Sequence, residues 1–350
     1  ESAGLMARSV TQNAGDHGEH YITRDKKEYW AMFYSAAGGG VLIALMALFK
    51  TYLGSIIDDK VWKGIAEGLN YGLGFMVIFM LHFTVATKQP AMTAARFAEA
   101  VEKNPQGKTL NMKLAQLLVD VFRSQSIAVL GNVLIAMGLA ALIAFSYQYK
   151  TGEPLMNADQ IAYQLHSIDP FAGTLWFAAI AGVWLFCSGI ISGYFDNRSN
   201  YLNMRMRLAQ HPLLKKLMSE KTRVKFANYM HENYGSLIGN FCFGMLLGLT
   251  GLVGYLTHLP LDIRHVAFSS ANLGYSAVSG QFAYPFFLQC IAFVLLIGLV
   301  NLMVSFSLTL WVALRSLNTE IDSWWAIWHE VCQIVRKRPL SLFLPVQLDK

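Results

Sequence analysis

Two stretches of this chain, Ser124 to Tyr149 and His265 to Leu314, contain no Asp, Glu, Lys or Arg. A helix built from such a stretch has no charged face to turn toward water. Its stable setting is a bilayer, whose hydrocarbon core of roughly 30 Å takes about 20 residues of helix. Shorter uncharged runs at Ala31–Phe49, Gly68–Thr87, Phe171–Phe195 and Tyr234–Leu256 repeat the pattern. With 54% hydrophobic and 14% charged residues, the chain reads as an all-α polytopic membrane protein rather than two or three soluble domains.

In order, the runs divide the chain into a cytoplasmic segment at 1–29 and three helix hairpins. The first hairpin (30–103) holds spans 31–53 and 66–87. The second (104–233) holds spans 124–148 and 171–195 and a basic insert at 196–233, which reads as two short helices on the membrane surface. The third (234–315) holds spans 234–256 and 285–314, and a tail follows at 316–350. An alanine-rich amphipathic helix is expected up to Lys103, then a turn at Asn104-Pro105-Gln106-Gly107, then a helix that starts near Leu110 and continues into the third span. The stretch 150–170 reads as a polar loop.

The uncharged run after His265 is long enough for two crossings, or for one crossing and a dipping segment. Two crossings would put Arg336-Lys337-Arg338 outside, against the bias of Lys and Arg toward the cytoplasm. Phe268-Ser269-Ser270-Ala271-Asn272-Leu273-Gly274 is also polar and contains glycine, as suits backbone packed within protein rather than against lipid. A re-entrant segment at 266–281 followed by a sixth span is therefore expected. Under it, all of the 28 Lys and Arg except Lys50, Lys60, Lys63, Lys150 and Arg264 fall on one side, which places both termini in the cytoplasm.

The phrase Gly131-Asn132-Val133-Leu134-Ile135-Ala136 recurs at Gly39-Gly40-Val41-Leu42-Ile43-Ala44 and, more loosely, from Gly239-Asn240. Recurrence at intervals of roughly 90 to 110 residues implies three copies of one hairpin unit, and so a quasi-threefold bundle. Gly38, Gly39, Gly40, Gly131, Gly239, Gly244 and Gly248 are expected to face neighbouring helices, because small residues let backbones approach where lipid supplies no hydrophobic drive. The proline-acidic-basic signature of mitochondrial carriers, which also have six spans in three repeats, is missing.

Asn70, His82, Asn132, Asn240 and Asn301 fall in or near the spans, and Ser270 and Asn272 in the re-entrant segment. Polar groups in hydrocarbon are costly, so each either lines a binding site or pathway or makes a purely structural hydrogen bond between helices. Asn132 and Asn240, at matching repeat positions, are the candidates for a shared polar centre. No carboxylate lies deep in a span, which argues against a proton relay.

Outside the spans, Ile321, Trp324, Trp325, Trp328, Val331 and Val335 share one face of a C-terminal helix, suited to the head-group boundary or to a partner's helix. The net charge of +6 and the basic insert, with Arg205, Arg207, Lys215 and Lys216, call first for anionic lipid and only second for nucleic acid. The four cysteines are scattered, so neither disulfides nor a zinc site is implied. His17-Gly18-Glu19-His20 has ligand-like spacing but no fixed helical pattern, and no cofactor or catalytic motif is legible.

Three sets of phrases are similar to a family of proteobacterial membrane proteins called site-specific recombinases. They are Ala7-Arg8-Ser9-Val10-Thr11-Gln12 with Gly18-Glu19-His20-Tyr21-Ile22-Thr23-Arg24, then Ala86-Thr87-Lys88-Gln89-Pro90-Ala91-Met92-Thr93-Ala94, and Leu261-Asp262-Ile263-Arg264-His265-Val266 with Phe268-Ser269-Ser270. The resemblance covers nearly the whole chain. It implies a bacterial inner membrane location and a further N-terminal soluble region, which suits a chain that begins at Glu1. The family's name implies cutting and rejoining DNA through a tyrosine or serine nucleophile with arginines about the phosphate. No catalytic residues carry over, and Arg264-His265 is the nearest Arg-His pair. Three functions thus follow from the sequence. One is binding or translocation of a small molecule or lipid through a polar centre, a second is a membrane scaffold that forms homo-oligomers or holds a protein partner, and the third is the recombinase.

Overall fold

The computed structural model describes residues 22–23, 25–85, 89–103 and 108–345. The His17 and His20 pair, Arg8, Arg24, Lys88 and the turn expected at Asn104–Gly107 lie outside the described residues. Among the described residues every regular element is helical. In chain order these are α1 (Lys26–Ile56), α2 (Lys60–Met80), α3 (Gln89–Lys103), α4 (Lys108–Thr151), α5 (Ala158–Ile168) and α6 (Thr174–Tyr201). There follow α7 (Met204–Gln210), α8 (Pro212–Leu217), α9 (Glu220–Thr257), α10 (Val266–Ser279), α11 (Tyr284–Ser316) and α12 (Trp324–Lys337).

Five of these helices, α1, α4, α6, α9 and α11, are long and apolar enough to cross a membrane. The segment expected as a second span, 66–87, differs at both ends. The helix starts at Lys60, because the Asp59 carboxylate accepts from the amides of Val61 and Trp62 and so caps the first turn. It stops at Met80, because His82 takes a left-handed φ of 58° that ends the helical ladder. The chain then turns back along α1, where the Thr84 amide donates to the Ser35 carbonyl at 3.2 Å. An uncharged run marks where lipid is tolerated, and the capping groups mark where a helix begins and ends.

A second correction concerns 150–170. What reads as a polar loop contains α5, started by a reciprocal capping box in which Asn157 accepts from the Gln160 amide and the Gln160 side chain accepts from the Asn157 amide. The helices expected before Lys103 and from near Leu110 are present as α3 and α4. With 44 residues, α4 is about 66 Å long, more than twice the thickness of a hydrocarbon core. Its first turns meet α3, α11 and α12 in one apolar cluster with Phe97, Leu110, Leu114, Leu310, Ile327 and Val331. The basic insert holds two short helices, α7 and α8, and the rest of it extends α6 and α9.

Glycines set the closest helix crossings. A Cβ on Gly244 would collide with the backbone of Gly72, and one on Gly248 with that of Gly68, so α9 and α2 touch main chain to main chain. On its other side α9 meets α6, with Gly235 and Gly239 against Ser192. The recurring phrases of α1 and α4 pack on each other: Gly40 faces the Asn132 carbonyl and the Ala136 amide, while Gly131 faces Ala36 and the Phe33 carbonyl. Of the seven glycines expected to face neighbouring helices, Gly39, Gly40, Gly131, Gly239, Gly244 and Gly248 do so, whereas Gly38 meets Phe83 in the turn after α2.

The segment expected at 266–281 forms the 14-residue α10, about 21 Å long and too short to cross. It is enclosed by α1, α2, α4 and α11, and all its residues from Val266 to Ser276 are buried except Asn272. Val266 lies on Gly298 of α11 and Gly274 on the α4 backbone at Met137. Phe268 packs on Tyr71 at 4.3 Å, and the Tyr275 hydroxyl donates to the Ala44 carbonyl at 2.9 Å.

These contacts predict that Gly244→Ala lowers the thermal unfolding temperature of the purified protein, at a cost of about 1–3 kcal/mol from overpacking. Gly138→Ala is the matched control. Its Cβ meets nothing within 4 Å, so it leaves stability unchanged or raises it.

Candidate functional site

The asparagines expected to line a polar centre are mostly spent on main chain. Asn301 on α11 makes three bonds, its amide nitrogen donating to the carbonyls of Ala178 at 2.8 Å and Arg264 at 2.9 Å while its oxygen accepts from the Val266 amide at 3.1 Å. One buried side chain thus ties α6, the strand-like approach to α10, and the first amide of α10 itself. Asn132 on α4 donates to the carbonyls of Ala36 at 2.5 Å and Thr84 at 2.9 Å, fastening α1 and the turn after α2. Asn70 donates to the Met46 carbonyl at 2.9 Å, from α2 to α1. Asn240 donates to Ser236 at 2.8 Å within its own helix.

Asn132 and Asn240 therefore bond to different elements and form no common centre through these contacts. Ser270 donates to Ala267 one turn back, and the exposed His82 offers its carbonyl to the Ser35 hydroxyl. Of the seven polar residues expected to bind a ligand, Asn272 lines a cavity.

That cavity, about 300 Å³, opens among α1, α2, α5 and α10. Lys50, Thr51 and Gly54 contribute from α1, Lys63 and Glu67 from α2, Asp159, Gln160, Tyr163 and Gln164 from α5, and Asn272 from α10. Lys50 and Glu67 form an ion pair at 3.4 Å, and the Lys50 ammonium also lies 5.7 Å from the centre of the Tyr71 ring. Each partner is held by a helix whose inner turns are packed against α10, so the charges are presented on a rigid frame. Sequence periodicity could not bring α5 over this site, because α5 reads as loop. Lys50 and Glu67 did carry a signal, as charges at the edges of apolar runs.

Tyr71, Phe75, Phe243, Phe268 and Tyr275 are buried in one apolar cluster. The Arg264-His265 pair does not face a common space. The Arg264 guanidinium is taken by Asp262 at 2.6 Å and by the carbonyls of Ser167 at 2.8 Å and Ile263 at 2.7 Å, whereas His265 is enclosed by the rings of Phe75, Phe243 and Phe268. Among the described residues no three of His, Cys, Asp and Glu stand close enough to hold a metal.

At the opposite end, α12 buries Ile327 and Val331, and Trp324 stacks on Phe97 at 6.2 Å. Trp325 and Trp328 are exposed at 77% and 59%, as are Arg205, Arg207, Lys215 and Lys216 on α7 and α8. Ile327 was absent from the face expected for this helix and is its most buried residue.

Truncation separates the asparagines. Asn301→Ala leaves two carbonyls and one amide without this partner, at about 1–3 kcal/mol for an orphaned buried group. Asn240→Ala loses a bond within one helix and costs below about 1 kcal/mol. Thermal unfolding of the two variants side by side checks the order.

A sequence model of the site-specific recombinase family matches residues 1–345. No curated protein matches the chain, and no solved structure does. With the family's pattern running through almost every residue, the chain belongs to the site-specific recombinase family.

Proposed function

We propose that this protein is a six-span protein of the bacterial inner membrane, with both termini cytoplasmic, that binds a small molecule or a lipid head group in the pocket among α1, α2, α5 and α10. The observation that carries this reading is the Lys50–Glu67 pair at 3.4 Å on the wall of a 300 Å³ cavity. Charged side chains near the ends of membrane helices can reach the polar interface, and here both signs converge on one space. Binding is proposed rather than translocation, in keeping with the buried cluster that Tyr71, Phe75, Phe243, Phe268 and Tyr275 form within the bundle.

The topology in this reading rests on the one-sided distribution of Lys and Arg, with α2 as the sixth span and α10 as a re-entrant helix. The exposed basic residues of α7 and α8 then lie at the cytoplasmic leaflet, where anionic head groups attract them. The same holds for the exposed tryptophans of α12, at head-group level. Cys332 on α12 is exposed while Cys290 is buried, so the native thiols test it. A membrane-impermeant maleimide is expected to label Cys332 only after the inner membrane is opened, and labelling of intact spheroplasts from outside would invert the topology.

The ligand reading is tested by native mass spectrometry of the protein extracted gently from its own membrane. A stoichiometric small molecule or lipid is expected, lost in Lys50→Ala and Glu67→Gln and kept in Asn240→Ala. Stoichiometric protein partners with no ligand would replace this reading with a scaffold. A second reading, recombination chemistry or a factor acting in it, draws its support from family membership. Strand cleavage or exchange by the pure protein on supercoiled DNA would carry it.

A further inference from the structure

The charged pocket does not end at its polar walls. Thr51 and Gln160 line it on one side and on the other line a second, apolar groove of about 610 Å³. Leu45, Leu48, Phe49 and Tyr52 of α1, Tyr147 of α4 and Leu155 form that groove. Leu45, Phe49, Tyr52 and Tyr147 are between 43% and 55% exposed, although they sit on two helices that are long and apolar enough to cross a membrane. An apolar channel on the flank of such helices faces acyl chains, and its continuation into a polar chamber near the helix ends matches the build of an amphiphile.

The charges select among amphiphiles. The pocket wall carries Lys50 and Lys63 against Glu67 and Asp159. Lys50 and Glu67 satisfy each other at 3.4 Å. This leaves one cation, Lys63 on α2, and one anion, Asp159 in the first turn of α5, lining the same space. A ligand carrying one anion and one primary ammonium complements both, whereas a purely anionic head group would leave Asp159 opposed to like charge. Asn272, Gln160 and Gln164 add amide groups that can accept from an ammonium or donate to phosphate oxygens.

We propose that the joined pocket and groove hold one phospholipid with a phosphoethanolamine head group, its phosphate toward Lys63, its ammonium toward Asp159, and an acyl chain along Leu45, Phe49 and Tyr147. The proposal rests on the ligand reading of the same pocket and adds the class of ligand. Head-group selection is the property that sets such a site apart from the ordinary lipid shell of a membrane protein, in which any lipid with suitable chains exchanges freely.

The test uses the full chain, purified and stripped of lipid in detergent. It is then offered equal amounts of phosphatidylethanolamine, phosphatidylglycerol and phosphatidylcholine with identical chains, and retained lipid is counted by native mass spectrometry. One phosphatidylethanolamine per protein is expected, favoured about tenfold over the other two. Asp159→Asn and Lys63→Ala each remove the preference while the fold, followed by thermal unfolding, is kept. Leu45→Trp, which fills the groove, weakens retention of the lipid.

Equal retention of all three lipids, insensitive to Asp159→Asn and Lys63→Ala, would overturn the proposal in favour of an unselective lipid shell. A preference for phosphatidylglycerol would overturn it in favour of a plain anion site. Binding of glycerophosphoethanolamine with no gain from acyl chains would overturn the lipid assignment and leave the pocket reading standing. If neither the lipids nor the soluble head group is retained, both fall together.

Discussion

A helix of 14 residues inside an apolar bundle depends on its end groups, because hydrocarbon offers no water to take them. At the end of α10 the carbonyls of Ser276, Ala277 and Val278 accept from the amides of Gly280, Phe282 and Gln281, and at its start the Val266 amide is met by a side chain from another helix. Asn301 receives the Val266 amide and also holds the carbonyls of Arg264 and Ala178, so a single side chain fixes the first turn of α10, its approach and α6 together. Two further polar side chains, Arg264 and Tyr275, follow the same rule. Arg264 is bound by Asp262 and by two carbonyls, and Tyr275 by the Ala44 carbonyl. With α10 held, Asn272 forms part of the wall of the chamber between α1, α2 and α5.

Close helix approach is the other half of the construction. Burying α10 leaves the surrounding helices no slack, since lipid tails are as apolar as the side chains and give no drive for helices to associate. Contact area must come from main chain reaching main chain, as at Gly244 on Gly72 and Gly248 on Gly68. The α2 helix is brought in by this crossing with α9 and carries Lys63 and Glu67 to the pocket. Polarity in the pocket and glycine in the crossing are thus two properties of the same helix.

The polar residues of the spans divide by what they bond. Asn132, Asn70 and Asn301 join different segments through carbonyls, which makes them part of the frame. Lys50, Lys63, Glu67 and Asp159 sit where helices end, and a carbonyl cannot neutralise a carboxylate, so they face the cavity and one another. Family membership and this chemistry bear on different questions, since a family name travels with the whole sequence whereas a ligand is recognised by a few side chains.

By itself, the sequence determined which stretches are long and apolar enough to cross a membrane, and the positions of most helices. Uncharged length decides whether a stretch can live in lipid, and Ser124–Tyr149 and His265–Leu314 meet that condition without reference to any neighbour. It also marked the contact glycines and the segment that became α10, because small residues and serines in an apolar run have few other uses. The helical nature of 158–168 was legible in the Asn157 and Gln160 capping pair, though periodicity alone concealed it. Only the tertiary structure decided which polar residues act together. The matched positions of Asn132 and Asn240 suggested a common centre, yet each takes the acceptors that its own crossing supplies. Lys50, Glu67, Asp159 and Asn272 come from four helices and carry no shared spacing, so only packing creates their proximity.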